Sequence, residues 1–139
     1  MKKTLNIIAL ATLLSACSSA GMVNLPIKEQ LNSKLAKEKL NPNIELSFGK
    51  KSVKGKTIGT WTSNKKTNNV GKSIPNSCGR AFTSALISLQ ARAVKEGGNA
   101  VVNIHSYYKK NPYWSNTEFQ CMEGHIMSGV ALRGTVIKK

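Results

Sequence analysis

The segment SCGRAFTSALISLQARAVKEGGNAVVNIHSYY, Ser77 to Tyr108, narrows the possible folds more than any other part of the chain. Phe82, Ala85, Leu86, Leu89 and Ala93 recur at helical spacing and form one apolar stripe. Asn76 or Ser77 can cap the start, and Gly97 stands where a left-handed C-cap is needed. These signals predict a helix of about 18 residues. A two-glycine connection then leads into an apolar strand, Ala100 to Tyr107. A helix with one apolar face followed at once by such a strand has to lay that face on a sheet. Small residues at Ala81, Ala85 and Ala93 allow close helix–sheet approach.

The flanking segments supply the rest of the sheet. In LPIKEQLNSKLAKEKLNPN, residues Ile27, Leu31, Leu35 and Leu40 recur at nearly helical spacing. Pro26 is allowed in the first turn and Asn41-Pro42 ends the run, which predicts a short amphipathic helix packed on the domain. IELSFG, Ile44 to Gly49, alternates like a half-buried strand, and TIGTWTSNKKTNN reads as a second strand through Ile58 and Trp61. Paired as a hairpin, they would project Lys50, Lys51, Lys54 and Lys56 at one end. TEFQCME and HIMSGVALRGTVIKK are two further extended runs joined near Glu123-Gly124, with Gly129 and Gly134 marking bulges or close contacts. The expected fold is one α+β domain over residues 25–139. Its mostly antiparallel sheet of about 4–5 strands is packed by one long helix and a short N-terminal helix.

The N-terminus addresses the chain. In MKKTLNIIALATLLSACSSAG, Lys2 and Lys3 form a positive n-region and Ile7 to Leu14 a short apolar core. That run is too short for a permanent membrane helix and reads as a removable signal over residues 1–16. Leu14, Ser15, Ala16 and Cys17 resemble the lipobox of bacterial lipoproteins. The resemblance implies cleavage before Cys17 and lipidation of its sulfur, with several acyl chains anchoring stably where one alone would be marginal. Ser18 in place of Asp is similar to an outer-membrane sorting signal. Residues 17–24 read as the lipidated cysteine and a short flexible tether.

Cysteine and charge fit that compartment. Of three cysteines, lipidation of Cys17 leaves Cys78 and Cys121. Export favours a disulfide between them, closing a loop of about 43 residues worth roughly 3–4 kcal/mol; two separate buried thiols are the alternative. Removing Lys2 and Lys3 with the signal lowers the formal charge of +15 to about +13, and the chain has no aspartate. Such a charge draws acidic partners, which in an envelope are lipid headgroups, lipopolysaccharide phosphates and acidic proteins. Lysines that merely solubilise a tethered domain are the plainer reading.

The segment CGRAFTSALISLQARAVKEGGNAVVNIHSYY resembles a family of small proteobacterial envelope proteins, many of them labelled excinuclease ATPase subunits. More distantly, the alanine-rich helix, glycine and NAVVNI pattern resembles the YbjQ-like fold and that of the envelope-stress lipoprotein RcsF. The resemblance implies a disulfide between the helix start and a following strand, matching Cys78 and Cys121. The chain lacks the sensor's second cysteine pair and its long proline-rich linker.

The ATPase label fails on chemistry. VGKS, Val70 to Ser73, has a Gly-Lys-Ser ending, but Lys66 stands where the phosphate loop needs its first glycine, and no aspartate can hold magnesium. Hydrolase chemistry lacks a nucleophile elbow, and a carboxylate to orient His105 or His125 could come only from the six glutamates; a pair such as Glu118 and Glu123 is the remaining acid–base option. An enzyme and a cofactor are therefore not expected. Metal coordination by Cys78, Cys121, His105 and His125 is the sharper alternative, although the spacing forms no tight knuckle.

Tyr107, Tyr108, Lys109, Lys110, Tyr113 and Trp114 remain, crowded around Asn111-Pro112, which signals an exposed turn. Exposed aromatics beside cations suit base stacking, a membrane interface or a protein interface. Plain packing of alternate residues onto the core is the other possibility. The envelope compartment disfavours nucleic acid. The expected function is a lipid-anchored, non-enzymatic binding or stress-sensing module. It is attached to the outer membrane facing the periplasm and contacts an envelope protein or anionic envelope surface through these residues.

Overall fold

The computed structural model describes residues 21–139. The expected signal peptide over residues 1–16 and the expected lipidation of Cys17 lie outside the described residues. In chain order the elements are β1 (Gly21–Pro26), α1 (Ile27–Leu31), α2 (Lys34–Lys39), β2 (Glu45–Phe48) and β3 (Lys56–Asn68). They continue as α3 (Ile74–Lys95), β4 (Ala100–Tyr108), β5 (Asn111–Tyr113), β6 (Glu118–Glu123) and β7 (Met127–Lys138).

The α+β class holds, but the sheet is larger than the sequence predicts and mixed. Among the described residues it has seven strands. β7 is its spine, antiparallel to β3 along nearly its whole length on one side, and to β4 and then β6 on the other. β4 also pairs in parallel with β2 and antiparallel with β5, and β6 pairs with β1. The tether expected over 17–24 therefore gives way to strand at Gly21: Gly21 to Pro26 line up against Glu123 to Glu118. Val23 and Leu25 pack on the core from this strand, which is why it is held.

β2 and β3 do not form the expected hairpin; they lie on opposite sides of the β4–β7 pair. The apolar runs AVV and VAL in β4 and β7 are buried, so those strands take the centre, while β3, polar on its outer face, takes an edge. The segment 49–55 crosses between the two, with Gly49 and Gly55 at positive φ. Val53 packs there on Ala100, Val102 and Ile137.

α3 begins three or four residues earlier than its expected caps, Asn76 or Ser77. Ser73 accepts from the Asn76 amide, and Pro75 sits in the first turn, where it costs no hydrogen bond. Ser77 is instead buried. Gly97 takes φ +80° and ends the helix. The N-terminal helix is split, because Ser33 caps a new segment by accepting from Ala36.

The core lies between α3 and one face of the sheet. Phe82, Ala85, Leu86, Leu89 and Ala93 meet Val101, Ile104, Leu132 and Val136, all at or below 1% exposure. Each large side chain so buried contributes roughly 1.5–3 kcal/mol. Phe82 stacks on Phe119 with ring centroids 4.0 Å apart. Gly134 leaves room for the core side chains of β4, since a Cβ there would stand 2.6 Å from Val101 Cγ1. Gly129 marks no bulge; the irregularity in the β4–β7 pairing falls between Val102 and His105, where Asn103 has φ +52°.

Candidate binding face and the disulfide corner

The face of the sheet turned away from α3 carries most of the aromatic and basic residues singled out in the sequence. The bulge at Asn103 shifts the alternation of β4, so His105 lies across from Arg133 of β7. Tyr107, two residues on, shares that side. Trp114, just past β5, folds back onto His105, with ring centroids 3.6 Å apart and planes 23° from parallel. His105 also meets Tyr107 edge-on at 5.9 Å. Cations flank the row: Lys50 Nζ lies 4.9 Å from the Trp114 ring, and the Arg133 guanidinium 4.9 Å from Tyr107. Lys50, Trp114, His105, Tyr107 and Arg133 thus form a continuous ladder, and contacts of this kind contribute about 0.5–1 kcal/mol each at exposed sites.

The proton affinity of His105 is lowered by its surroundings. Burial under Trp114 lowers its pKa, its hydrogen bond to the Asn103 carbonyl opposes this, and Arg133 and Lys50 lower it further. At neutral pH the ring is uncharged, with Nδ1 donating to the Asn103 carbonyl oxygen at 2.9 Å.

Asn111-Pro112 is not the turn. The chain reverses at Lys109-Lys110, and Asn111 pairs with Tyr108 as the first residue of β5. Both lysines are left-handed, at φ +49° and +63°. A two-residue hairpin turn of this hand ordinarily uses Asn-Gly, because a Cβ there costs about 1–2 kcal/mol per residue. Tyr113 leaves the expected patch. Its hydroxyl instead accepts from Asn24 of β1, 3.4 Å away.

Beside the hairpin runs an open groove of about 740 Å³ between β3, β7 and the end of β4. Tyr107, Tyr108, Lys109 and Lys110 form one wall, and Thr62, Asn64, Lys66 and Arg133 form the floor and far side. Those β3 and β7 residues escape a sequence reading because only the long antiparallel register brings them to the hairpin. Alternation along TWTSNKK was the available signal, since it sets Thr62, Asn64 and Lys66 on one face. All six glutamates of the chain lie elsewhere. Three of them, Glu38, Glu45 and Glu96, are paired to Lys34, Lys139 and Arg92.

Cys78 and Cys121 are joined by a disulfide, S–S 2.09 Å, between the first turns of α3 and the middle of β6. Both are fully buried. Glu123 closes the corner: its Oε1 accepts from Ser128 at 2.6 Å and from Ser77 at 3.2 Å, and its Oε2 from the Asn69 amide at 3.1 Å. The same Oε1 lies 3.0 Å from Cys78 Sγ, a contact rather than a hydrogen bond because a disulfide sulfur carries no proton.

The four-residue metal set does not assemble. His105 belongs to the aromatic ladder, and His125 is exposed in the turn before β7. Among the described residues, the potential ligand atoms gathered within 4.8 Å are those of Cys78, Cys121 and Glu123, and the disulfide occupies both sulfurs. Among those residues, too, no helix is long and apolar enough to cross a membrane.

No protein-family model, curated protein or solved structure matches the chain.

Proposed function

We propose that this chain is a lipid-anchored, non-enzymatic binding module of the bacterial envelope that docks an anionic envelope surface through the outer face of its sheet. The carrying observation is the juxtaposition of Tyr107, Trp114 and the strained Lys109-Lys110 turn with Lys50, Lys66 and Arg133, beside a groove whose lining holds no carboxylate. Left-handed lysines are held at the hairpin tip against their own preference, and such strain clusters where a segment is kept for contact. Aromatic rings beside ammonium groups suit the boundary between a charged headgroup layer and its apolar interior. The lipobox at Cys17 would bring the domain to that layer, and a stress-sensing role, as the resemblance to RcsF implies, would use the same face.

The test is co-sedimentation with phosphatidylglycerol vesicles, using protein carrying Cys17→Ser so that no acyl chain contributes. The unsubstituted face should bind these vesicles and leave neutral ones alone. Changing Tyr107, Lys109, Lys110 and Trp114 together to alanine should abolish sedimentation without unfolding the protein. Undiminished binding by that variant would remove the hairpin from the account.

A further inference from the structure

The groove beside the hairpin has a more specific composition than a docking surface needs. Its volume of about 740 Å³ falls within the small-ligand range of about 300–1,000 Å³. Lys66, Lys109, Lys110 and Arg133 surround it, and none of them enters an ion pair among the described residues. Tyr107 and Tyr108 are only half-buried, so part of each ring faces the opening. Asn64 and Thr62 add neutral hydrogen-bonding groups at its floor, and Thr62 already holds Arg133 through a 3.1 Å bond from its guanidinium. Arg133 is braced a second time by Tyr107, 4.9 Å away. A guanidinium fixed in this way presents its remaining N–H groups in a planar fork, the geometry that matches phosphate.

Cations, partly open tyrosine rings and neutral hydroxyl and amide groups together match a phosphorylated sugar. The phosphate would meet Arg133 and Lys66, the apolar face of the ring would lie on tyrosine, and sugar hydroxyls would reach Asn64 and Thr62. A nucleic-acid strand would require a longer basic track than this groove supplies. We infer that the groove formed by Asn64, Lys66, Tyr107, Tyr108, Lys110 and Arg133 binds a phosphorylated saccharide. The inference rests on the anionic-surface reading and names the headgroup chemistry it selects.

The test is a titration of the purified chain, again with Cys17→Ser, followed by amide chemical shifts. Glucosamine 6-phosphate should shift residues of β3 and β7 around Asn64, Lys66 and Arg133. It should bind at least ten-fold more tightly than glucosamine or inorganic phosphate. Arg133→Gln should weaken it about ten-fold or more, the loss expected for a charge-assisted hydrogen bond, and Lys66→Gln several-fold. Lys66 is exposed and Arg133 half-exposed, so the remaining amide shifts should stay in place and certify the fold. Vesicles bearing a phosphorylated glycolipid should bind by the same residues. Tighter binding than the free sugar phosphate assigns a membrane-borne source, and equal binding a soluble one. Equal affinity for inorganic phosphate, indifference to Arg133→Gln, or tighter binding of a single-stranded oligonucleotide would overturn the inference. If phosphatidylglycerol vesicles need the hairpin but not Lys66 or Arg133, the docking reading survives and the saccharide site falls.

Discussion

His105 shows how much one side chain's surroundings decide. Packed under Trp114 and facing Arg133 and Lys50, it resists protonation, so its folded pKa lies below its ordinary value of 6.5. The unfolded chain then takes up a proton at higher pH than the folded one. Its contribution is therefore complete above the unfolded pKa and is lost as pH falls through the folded value. Denaturant midpoints should fall on acidification from neutral pH to about 5, and His105→Gln should flatten that slope. Trp114→Ala should uncover the ring and raise its pKa toward the ordinary value, read from imidazole proton shifts. It should also cost about 0.5–1.5 kcal/mol through the lost stacking. An unmoved pKa in that variant would mean that Trp114 does not cover His105 in solution.

At the scale of elements, the hairpin and the helix–sheet seam make opposite demands on their residues. Lys109→Asn with Lys110→Gly installs the residues a left-handed turn prefers. It should raise stability by roughly 1–2 kcal/mol in denaturant unfolding while weakening vesicle binding. A gain in both would mean the lysines are not kept for contact. Gly134→Ala pushes a Cβ into Val101 and Ile104 and should cost about 1–3 kcal/mol by the same unfolding measurement. Legibility in the sequence follows the range of the interactions. The apolar stripe of α3, its glycine stop and the β4 strand depend on spacing within the segment and could be read directly. The strand neighbours could not, because β2 and β3 find partners more than fifty residues away, in β4 and β7. Half of the proposed binding face is legible for the same reason: Tyr107 to Trp114 are contiguous, whereas Lys66 and Arg133 join them only through the β3–β7 register. The turn was misplaced because Asn111-Pro112 is the stronger local signal, and tertiary pairing overrode it.

For the whole molecule, the disulfide and the charge distribution set the terms. The bond ties α3 to β6 across 43 residues of chain, and reduction should lower stability by roughly 3–4 kcal/mol. Because the two sulfurs are bonded to each other and buried, thiol alkylation followed by intact mass should find no reactive thiol at Cys78 or Cys121 until the protein is reduced and unfolded. The mature chain should carry its acyl mass on Cys17. A charge of +15 on 139 residues spreads basic potential widely, so attraction alone cannot say which face docks. Hydrogen exchange of the Cys17→Ser protein, with and without phosphatidylglycerol vesicles, tests that point most directly. Added protection should be confined to residues 105–114, the segment at Lys50 and the neighbouring stretches of β3 and β7, with α1 and α2 unchanged. Protection on the helical side, or none at the hairpin while the protein is vesicle-bound, would contradict it.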